Sequence, residues 1–363
     1  MDKKLRLILE VSTELSKEKE LSKVLYKLME ITKQLLEADR CSIFLHDEKK
    51  KELWTIVAHG VKEIRIPDFV GIAGEVYKNG NPLEIEDAYK DSRFNKDIDK
   101  KTGYRTKSIL AAPLINTKGE TMGVFQVINK IGEEKFSYED IELLNHMILY
   151  AASLLENVLL YEELKKAHED VIYRLANATE FKDPETKNHI LRVGLYCAEM
   201  AKGLGWSKEK IELIKLASSM HDIGKVGVPD GVLKKPGKLN EEEWEIMKKH
   251  TEVGYEVLKD SDSEILQKAA ITALEHHEKW NGKGYPNGKK GFEISIEGRM
   301  TALADVFDAL TSKRVYKEAW SYEKALNLIK EEKGKHFDPK MVEVFLDIFD
   351  KIKKIKEKYK EEE

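Results

Sequence analysis

Cysteine is nearly missing from this chain. Cys41 and Cys197 are its two, far apart and in no Cys-x-x-Cys spacing, which argues against a disulfide framework and a thiolate metal site. No run of about 18 or more apolar residues occurs, the length a membrane helix needs, and Met1-Asp2-Lys3-Lys4 leads into a charged amphipathic helix, not a leader. These absences predict a soluble, cytoplasmic protein with no membrane partner. Positive charge is not in excess either: 62 Lys and Arg stand against 66 Asp and Glu, for a net charge of -4. DNA is therefore not an expected partner, and any anionic ligand must be held by a local cluster of positive charge.

With 363 residues the chain should divide into two or three domains, each able to bury its own core. Residues from about 20 to 140 mix two kinds of pattern. Apolar spacing from Leu21 to Leu36 predicts a helix, while Cys41 to Leu45 and Leu53 to Val57 read as strands joined by the polar turn Asp47 to Lys51. Ser108 to Ile115 and Thr121 to Ile128 read as a second strand pair across the turn Asn116-Thr117-Lys118-Gly119. The prediction is an α+β module, an antiparallel sheet flanked by helices.

The pieces Gly71-Ile72-Ala73-Gly74, Pro82 with Ile85-Glu86-Asp87-Ala88, Asp91-Ser92-Arg93-Phe94, and Ser108 to Leu114 followed by Gly123-Val124 make this module resemble a GAF domain over nearly its whole length. The resemblance implies a sensor that encloses a small-molecule ligand or mediates dimers. Asn129-Lys130, Phe136 and Asp140 are similar to the pattern of cyclic-nucleotide-binding GAF domains, with Ile141 where an acidic residue usually closes it.

Between Ser137 and Lys182 there is neither proline nor glycine. One stripe alternates steps of four and three residues: Leu143, Met147, Tyr150, Leu154, Asn157, Tyr161, Leu164, His168, Val171, Leu175, Ala178. Such heptad spacing reads either as a long helix packed on its own domain or as a parallel coiled coil in a homodimer, with Asn157 setting register. The expected division is 1–140 for the sensor, 141–181 for the connecting helix and 182–363 for an all-α effector.

The effector half gathers potential ligands. Asp183-Pro184 reads as a helix N-cap and first helical residue, and Glu185 and His189, four apart, share a helix face. A helix from Lys208 to Met220 ends in His221-Asp222-Ile223-Gly224-Lys225, and Asn240 with Glu243 opens a helix that carries His250. Another, Asp262 to Trp280, carries His276-His277 and is followed by the turn Asn281-Gly282-Lys283-Gly284-Tyr285-Pro286. Asp305 lies among Leu303, Ala304, Val306 and Phe307, where a carboxylate faces inward only if paired or metal-bound. Each residue alone reads as ordinary core or surface. Together, five of the ten histidines and these acids form an imidazole and carboxylate set that suits Fe, Mn, Zn or Ni. Neighbours on a helix point about 100° apart, so His276 and His277 are expected to reach different ions.

His221-Asp222 with an upstream His189 and a downstream Asp305 is similar to the HD superfamily of metal-dependent phosphohydrolases. His250, His276-His277-Glu278 and Gly282-Lys283-Gly284-Tyr285-Pro286 extend the likeness to its HD-GYP branch, the cyclic di-GMP phosphodiesterases. The resemblance implies that His189, His221, Asp222, His250, His276, His277 and Asp305 ligate two or three divalent metal ions. Asp222 would bridge ions and Glu185 would support a third, favouring a trinuclear iron centre, with manganese as the alternative metal. It also implies that Lys225 meets a phosphate oxygen beside Asp222, and that Asp183, Tyr285, Asp308, Arg314 and Lys317 contact the nucleotide. Lys313 stands where an aspartate is frequent. The implied reaction is hydrolysis of cyclic di-GMP to linear pGpG, with onward cleavage to GMP left open, under control of the GAF sensor. Two alternatives stay open: an HD-type phosphohydrolase acting on another cyclic dinucleotide or nucleotide, and a non-catalytic cyclic di-GMP receptor.

Overall fold

A computed structural model describes residues 18, 20–55, 64–132, 135–180, 187–313 and 318–360. The chain divides into two compact units, Met1–Lys165 and Lys166–Glu363. In the first, α1 (Leu21–Leu35) leads into β1 (Ala38–Asp47), β2 (Glu52–Thr55), β3 (Ile64–Pro67), α2 (Gly71–Asn79), β4 (Leu83–Ile85), α3 (Lys96–Thr102), β5 (Ile109–Ile115), β6 (Thr121–Lys130) and the long α4 (Tyr138–Glu180). All strands pair antiparallel, in the order β3-β2-β1-β6-β5-β4. The expected strand Leu53 to Val57 runs as far as Thr55; Ile56 and Val57 lie outside the described residues.

Side chains alternate across a strand, and β5 uses both faces. Leu110, Ala112 and Leu114 pack with Val24, Leu25 and Leu28 of α1 and with Leu144, Met147 and Ala151 of α4. Ile109 and Ala111 pack on the opposite side with Ile72, Ala73 and Val76 of α2. The sheet is thus sandwiched by helices, as its patterning predicts. The Asn129-Lys130, Phe136, Asp140 pattern serves this packing. Lys130 Nζ lies 2.9 Å from Asp140 Oδ1 and donates to the Leu36 carbonyl at 3.0 Å, joining β6 to the ends of α1 and α4. Asn129, at a φ of 59°, donates to the Tyr104 hydroxyl at 2.8 Å and accepts from the Lys107 N–H.

Helix α4 runs for 43 residues because no proline or glycine interrupts its hydrogen-bond ladder. It is long and apolar enough, by length and composition, to cross a membrane. On this helix Leu144, Met147, Ile148, Ala151, Leu155 and Val158 are core of the first unit, Leu149 is exposed, and Ile172 and Ala176 are core of the second. The heptad stripe therefore splits. Met147 and Leu154 are buried, whereas Asn157, Tyr161, Leu164, His168, Val171, Leu175 and Ala178 are exposed.

The second unit is helical among its described residues: α5 (Lys187–Gly203), α6 (Lys208–Ser218), a 3-10 turn (Ile223–Gly227), α7 (Asp230–Leu233), α8 (Glu241–Lys248), α9 (His250–Leu258), α10 (Glu264–Glu275), α11 (Ile296–Thr311), α12 (Tyr322–Glu331), α13 (Pro339–Asp347) and α14 (Phe349–Lys358). Val193, Tyr196 and Met200 of α5 pack with Met300, Leu303 and Phe307 of α11 and Val342 and Phe345 of α13. Asn240 and Glu243 form the expected reciprocal cap of α8, at 2.8 Å in each direction. Three helices are shorter than their patterns suggest, and the one expected to reach Met220 ends at Ser218. The one predicted to carry His250 stops at Lys248 and restarts at His250, and the one predicted to reach Trp280 stops at Glu275.

Candidate metal centre

Five separate pieces of backbone deliver the predicted ligands. His189 lies near the start of α5, His221 and Asp222 follow α6, His250 opens α9, His276 and His277 follow α10, and Asp305 lies within α11. Close backbone packing brings three of these pieces together. A Cβ on Gly224 would lie 1.9 Å from the His250 carbonyl oxygen and 2.4 Å from the Gly254 nitrogen, and one on Gly254 would lie 2.9 Å from the Ala273 Cβ. Glycine at 224 and 254 lets the turn after Asp222, α9 and α10 meet at this distance.

The ligand atoms fall into two groups: Asp222, His250, His276 and His277, and His189, His221 and Asp305, with the atoms of each group within 4.8 Å of one another. Asp222 faces both. Its Oδ1 lies 3.4 Å from His250 Nε2 and 3.6 Å from His276 Nε2, and its Oδ2 lies 3.4 Å from His221 Nε2. In the second group His189 Nε2 and His221 Nε2 lie 3.5 and 4.0 Å from Asp305 Oδ1. His276 and His277, expected to reach different ions, fall in one group of ligand atoms. The helix ends at Glu275, so the angular rule for helical neighbours does not extend to His277, and their rings stand 4.0 Å apart.

The donor set fits a divalent metal. His221, His250 and His276 each donate Nδ1–H to a backbone carbonyl, of Ser218 at 2.8 Å, Met247 at 2.7 Å and Ala273 at 2.9 Å. His189 directs Nδ1 to Asp308 Oδ2 at 2.9 Å. Those bonds make Nδ1 the donor on each ring and turn Nε2 inward, toward the other ligand atoms. His250 Nε2 and His276 Nε2 consequently face each other at 3.4 Å beside a carboxylate oxygen, an arrangement that a cation between them would stabilise. His221 Nε2 and Asp222 Oδ1 are buried without a hydrogen-bond partner among the described residues. Burial pushes His250 down to about 4. Burial, with His276 and His250 beside it, also holds His277 well below the ordinary imidazole range. Near neutrality neither carries a proton that a metal must displace. Burial would raise the Asp222 carboxyl, but the Lys225 ammonium and His221 outweigh it and hold the group well below the usual carboxylate range.

Lys225 is buried, with Nζ 2.8 Å from Asp222 Oδ2. Tyr285 stacks on His277 with ring centroids 4.8 Å apart, and its burial raises its hydroxyl pKa. Its loop is pressed against His277 to Lys279: a Cβ on Gly284 would lie 2.3 Å from the Lys279 nitrogen, and Glu278 Oε1 accepts the Asn287 N–H at 2.8 Å. Asp183, Glu185, Arg314 and Lys317 lie outside the described residues.

Asp308, expected to contact the nucleotide, is corrected by the structure. It is 0% exposed, and both oxygens are occupied. Oδ1 accepts from Arg192 Nε at 2.8 Å, the Tyr196 hydroxyl at 3.1 Å and Lys356 Nζ at 3.0 Å. Oδ2 meets His189 Nδ1, Arg192 NH2 at 2.7 Å and the Ser312 hydroxyl at 3.2 Å. Sequence reading missed Arg192, Lys356 and Trp244. Arg192 and Tyr196 follow His189 by three and seven residues on one helix face, a signal open to notice. Trp244, 46% exposed, places its ring 6.1 Å from that of Tyr285.

Residues 170–341 match the HD domain family, and residues 20–155 match the GAF domain family. A Vibrio cholerae protein named 3'3'-cGAMP-specific phosphodiesterase 2 is 43% identical over 235 residues, 65% of this chain and 45% of that one. The cyclic di-GMP phosphodiesterase response regulator RpfG of Xanthomonas campestris is 42% identical over 184 residues, covering 51% of this chain and 49% of its own. A cyclic di-GMP phosphodiesterase of Thermotoga maritima is 41% identical over 206 residues, 56% of each chain. The chain spans about half the length of these curated relatives.

Proposed function

We propose, from the premise that the chain joins a GAF domain to an HD domain, that it hydrolyses cyclic di-GMP to linear pGpG at a divalent metal centre. The observation that carries this reading is the Asp222 carboxylate, with one oxygen toward each of two histidine groups. We assign the two groups two ions and Glu185 a third, with iron as the metal and manganese as its substitute. Bound there, such ions supply Lewis acidity and a water acidified toward neutrality.

The chain's own residues do the rest. Asp222 holds the two groups together, and Lys225, which has three donors, turns one of them to a nonbridging phosphate oxygen. Water adds its oxygen to phosphorus, the bond from phosphorus to O3′ breaks, and a proton ends on that O3′. Tyr285, stacked on His277, and the exposed Trp244 offer flat apolar surface to a guanine. Arg314, Lys317 and Asp183 are assigned to the nucleotide, the cations to its phosphates.

The 43% identity to a protein named for 3'3'-cGAMP favours, as the second reading, a different cyclic dinucleotide at the same centre. The deciding experiment is anaerobic purification with metal quantification, followed by product analysis on cyclic di-GMP and 3'3'-cGAMP. Turnover of cyclic di-GMP by metal-loaded protein upholds the main reading; turnover of cGAMP alone upholds the second. Binding without turnover by fully metallated, reduced protein would make the chain a receptor.

Regulation is assigned to the first unit. A cavity of about 90 Å³ there is lined by Arg40, Phe44, Ile72, Tyr104, Thr106 and Gln126, among others, and we assign it a small-molecule ligand. The exposed stripe of α4 from Asn157 to Ala178 is assigned to a parallel homodimer.

A further inference from the structure

We infer that Lys356, on α14, is a positioning residue for the His189 metal site and acts through Asp308. The inference rests on the reading that His189, His221 and Asp305 hold a metal ion.

Helix α14 contributes no ligand to either group, yet it buries a lysine. Its two buried residues are Ile352, which packs in the apolar core, and Lys356. An ammonium is costly to bury unless it is paired and hydrogen-bonded, so its partners show what it serves. Nζ lies 3.0 Å from Asp308 Oδ1 and also donates to the Ser312 hydroxyl, which itself donates to Asp308 Oδ2 at 3.2 Å. Arg192 already meets Asp308 through two parallel bonds. To that pair Lys356 adds a third direction of restraint on the carboxylate, which keeps Oδ2 aimed at His189 Nδ1.

The same end of α14 holds the helix that carries His189. Arg192 NH1 donates to the Tyr359 carbonyl and Asn188 Nδ2 to the Lys360 carbonyl, each at 2.9 Å. His189 lies on α5 one residue from Asn188 and three from Arg192, the two side chains these bonds hold. Three contacts from Lys356, Tyr359 and Lys360 thus hold the helix of His189, its neighbour Asn188 and its orienting carboxylate. A carboxylate behind a metal-binding imidazole fixes ring orientation and raises ligand basicity, and losing such a partner typically weakens metal binding roughly 10- to 100-fold.

The test uses the full chain with Lys356→Met and Lys356→Arg. Two quantities are read: the imidazole nitrogen resonances of His189 in metal-free protein, and manganese(II) affinity by competition with a chromogenic chelator. Lys356→Met is expected to shift the His189 resonances and to weaken one class of metal site roughly tenfold, leaving the site of Asp222, His250, His276 and His277 unchanged. Lys356→Arg should restore both readouts. Unaltered His189 resonances and affinity in folded Lys356→Met would overturn the inference, as would equal weakening of every metal site in step with lost thermal stability. Lys356→Gln replaces Lys356→Met if the latter does not fold. Wild-type protein that binds no metal at His189, His221 and Asp305 would defeat the metal reading, while the resonances would still report on the relay.

Discussion

Gly224 approaches the His250 carbonyl so closely that a Cβ would lie 1.9 Å from that oxygen. Both neighbours there are backbone, so no side chain can swing away to make room. Gly224→Ala should destabilise the second unit by about 1–3 kcal/mol, the usual cost of overpacking, and lower the metal content by separating Asp222 from His250. Urea unfolding and metal analysis check this; full metal content with unchanged stability would contradict it.

Asp222→Asn preserves shape and removes the charge that faces both histidine groups. It should reduce bound metal by at least one ion per chain and bring cyclic dinucleotide hydrolysis to the detection floor. Lys225 should also become harder to keep buried, because its 2.8 Å partner is then neutral. Undiminished turnover would remove Asp222 from the catalytic assignment.

Metal-free protein should lose stability as pH falls from about 6.5 to about 4. His250 and His336 are each pushed down to about 4 by burial, and His277 is held well below the imidazole range. Over that window the unfolded chain binds more protons than the folded one, so stability rises with pH. His250 alone would cost on the order of 2 kcal/mol by pH 5. His221 opposes the trend, because the nearby Asp222 outweighs burial and raises it. Asp222 and Asp308, both held low, lose their contribution only below the ordinary carboxylate range. Urea midpoints of apoprotein at pH 7, 6 and 5 measure the slope, and a flat or inverted profile would refute it.

Trp244→Ala should raise KM for the cyclic dinucleotide roughly tenfold, the worth of one base stacked on an aromatic ring. Little change in kcat is expected. Trp244→Phe should recover most of the loss, and hydrolysis of bis(p-nitrophenyl) phosphate, which carries no purine, should be unaffected. Equal losses on both substrates would place Trp244 in the fold rather than at the nucleotide.

Much of this protein is local in origin and was open to reading from its residues. Alternation in β5, the unbroken helix from Tyr138 and the Asn240–Glu243 cap depend on neighbours a few positions away, and each is present. The imidazole and carboxylate side chains singled out in the second half do gather in two groups, because their chemistry belongs to the residues themselves. Three features depended on packing. The heptad stripe divides at about Asn157, because the residues before it are consumed by the core of the first unit. His276 and His277 share one group because α10 ends before them, which no helical angle foretells. Asp308 was a plausible nucleotide contact until the fold enclosed it between His189, Arg192 and Lys356. Those partners lie 119, 116 and 48 residues away along the chain. Periodicity carries no information at such separations, so only the packed helices decide which carboxylate faces a substrate and which stands behind a ligand.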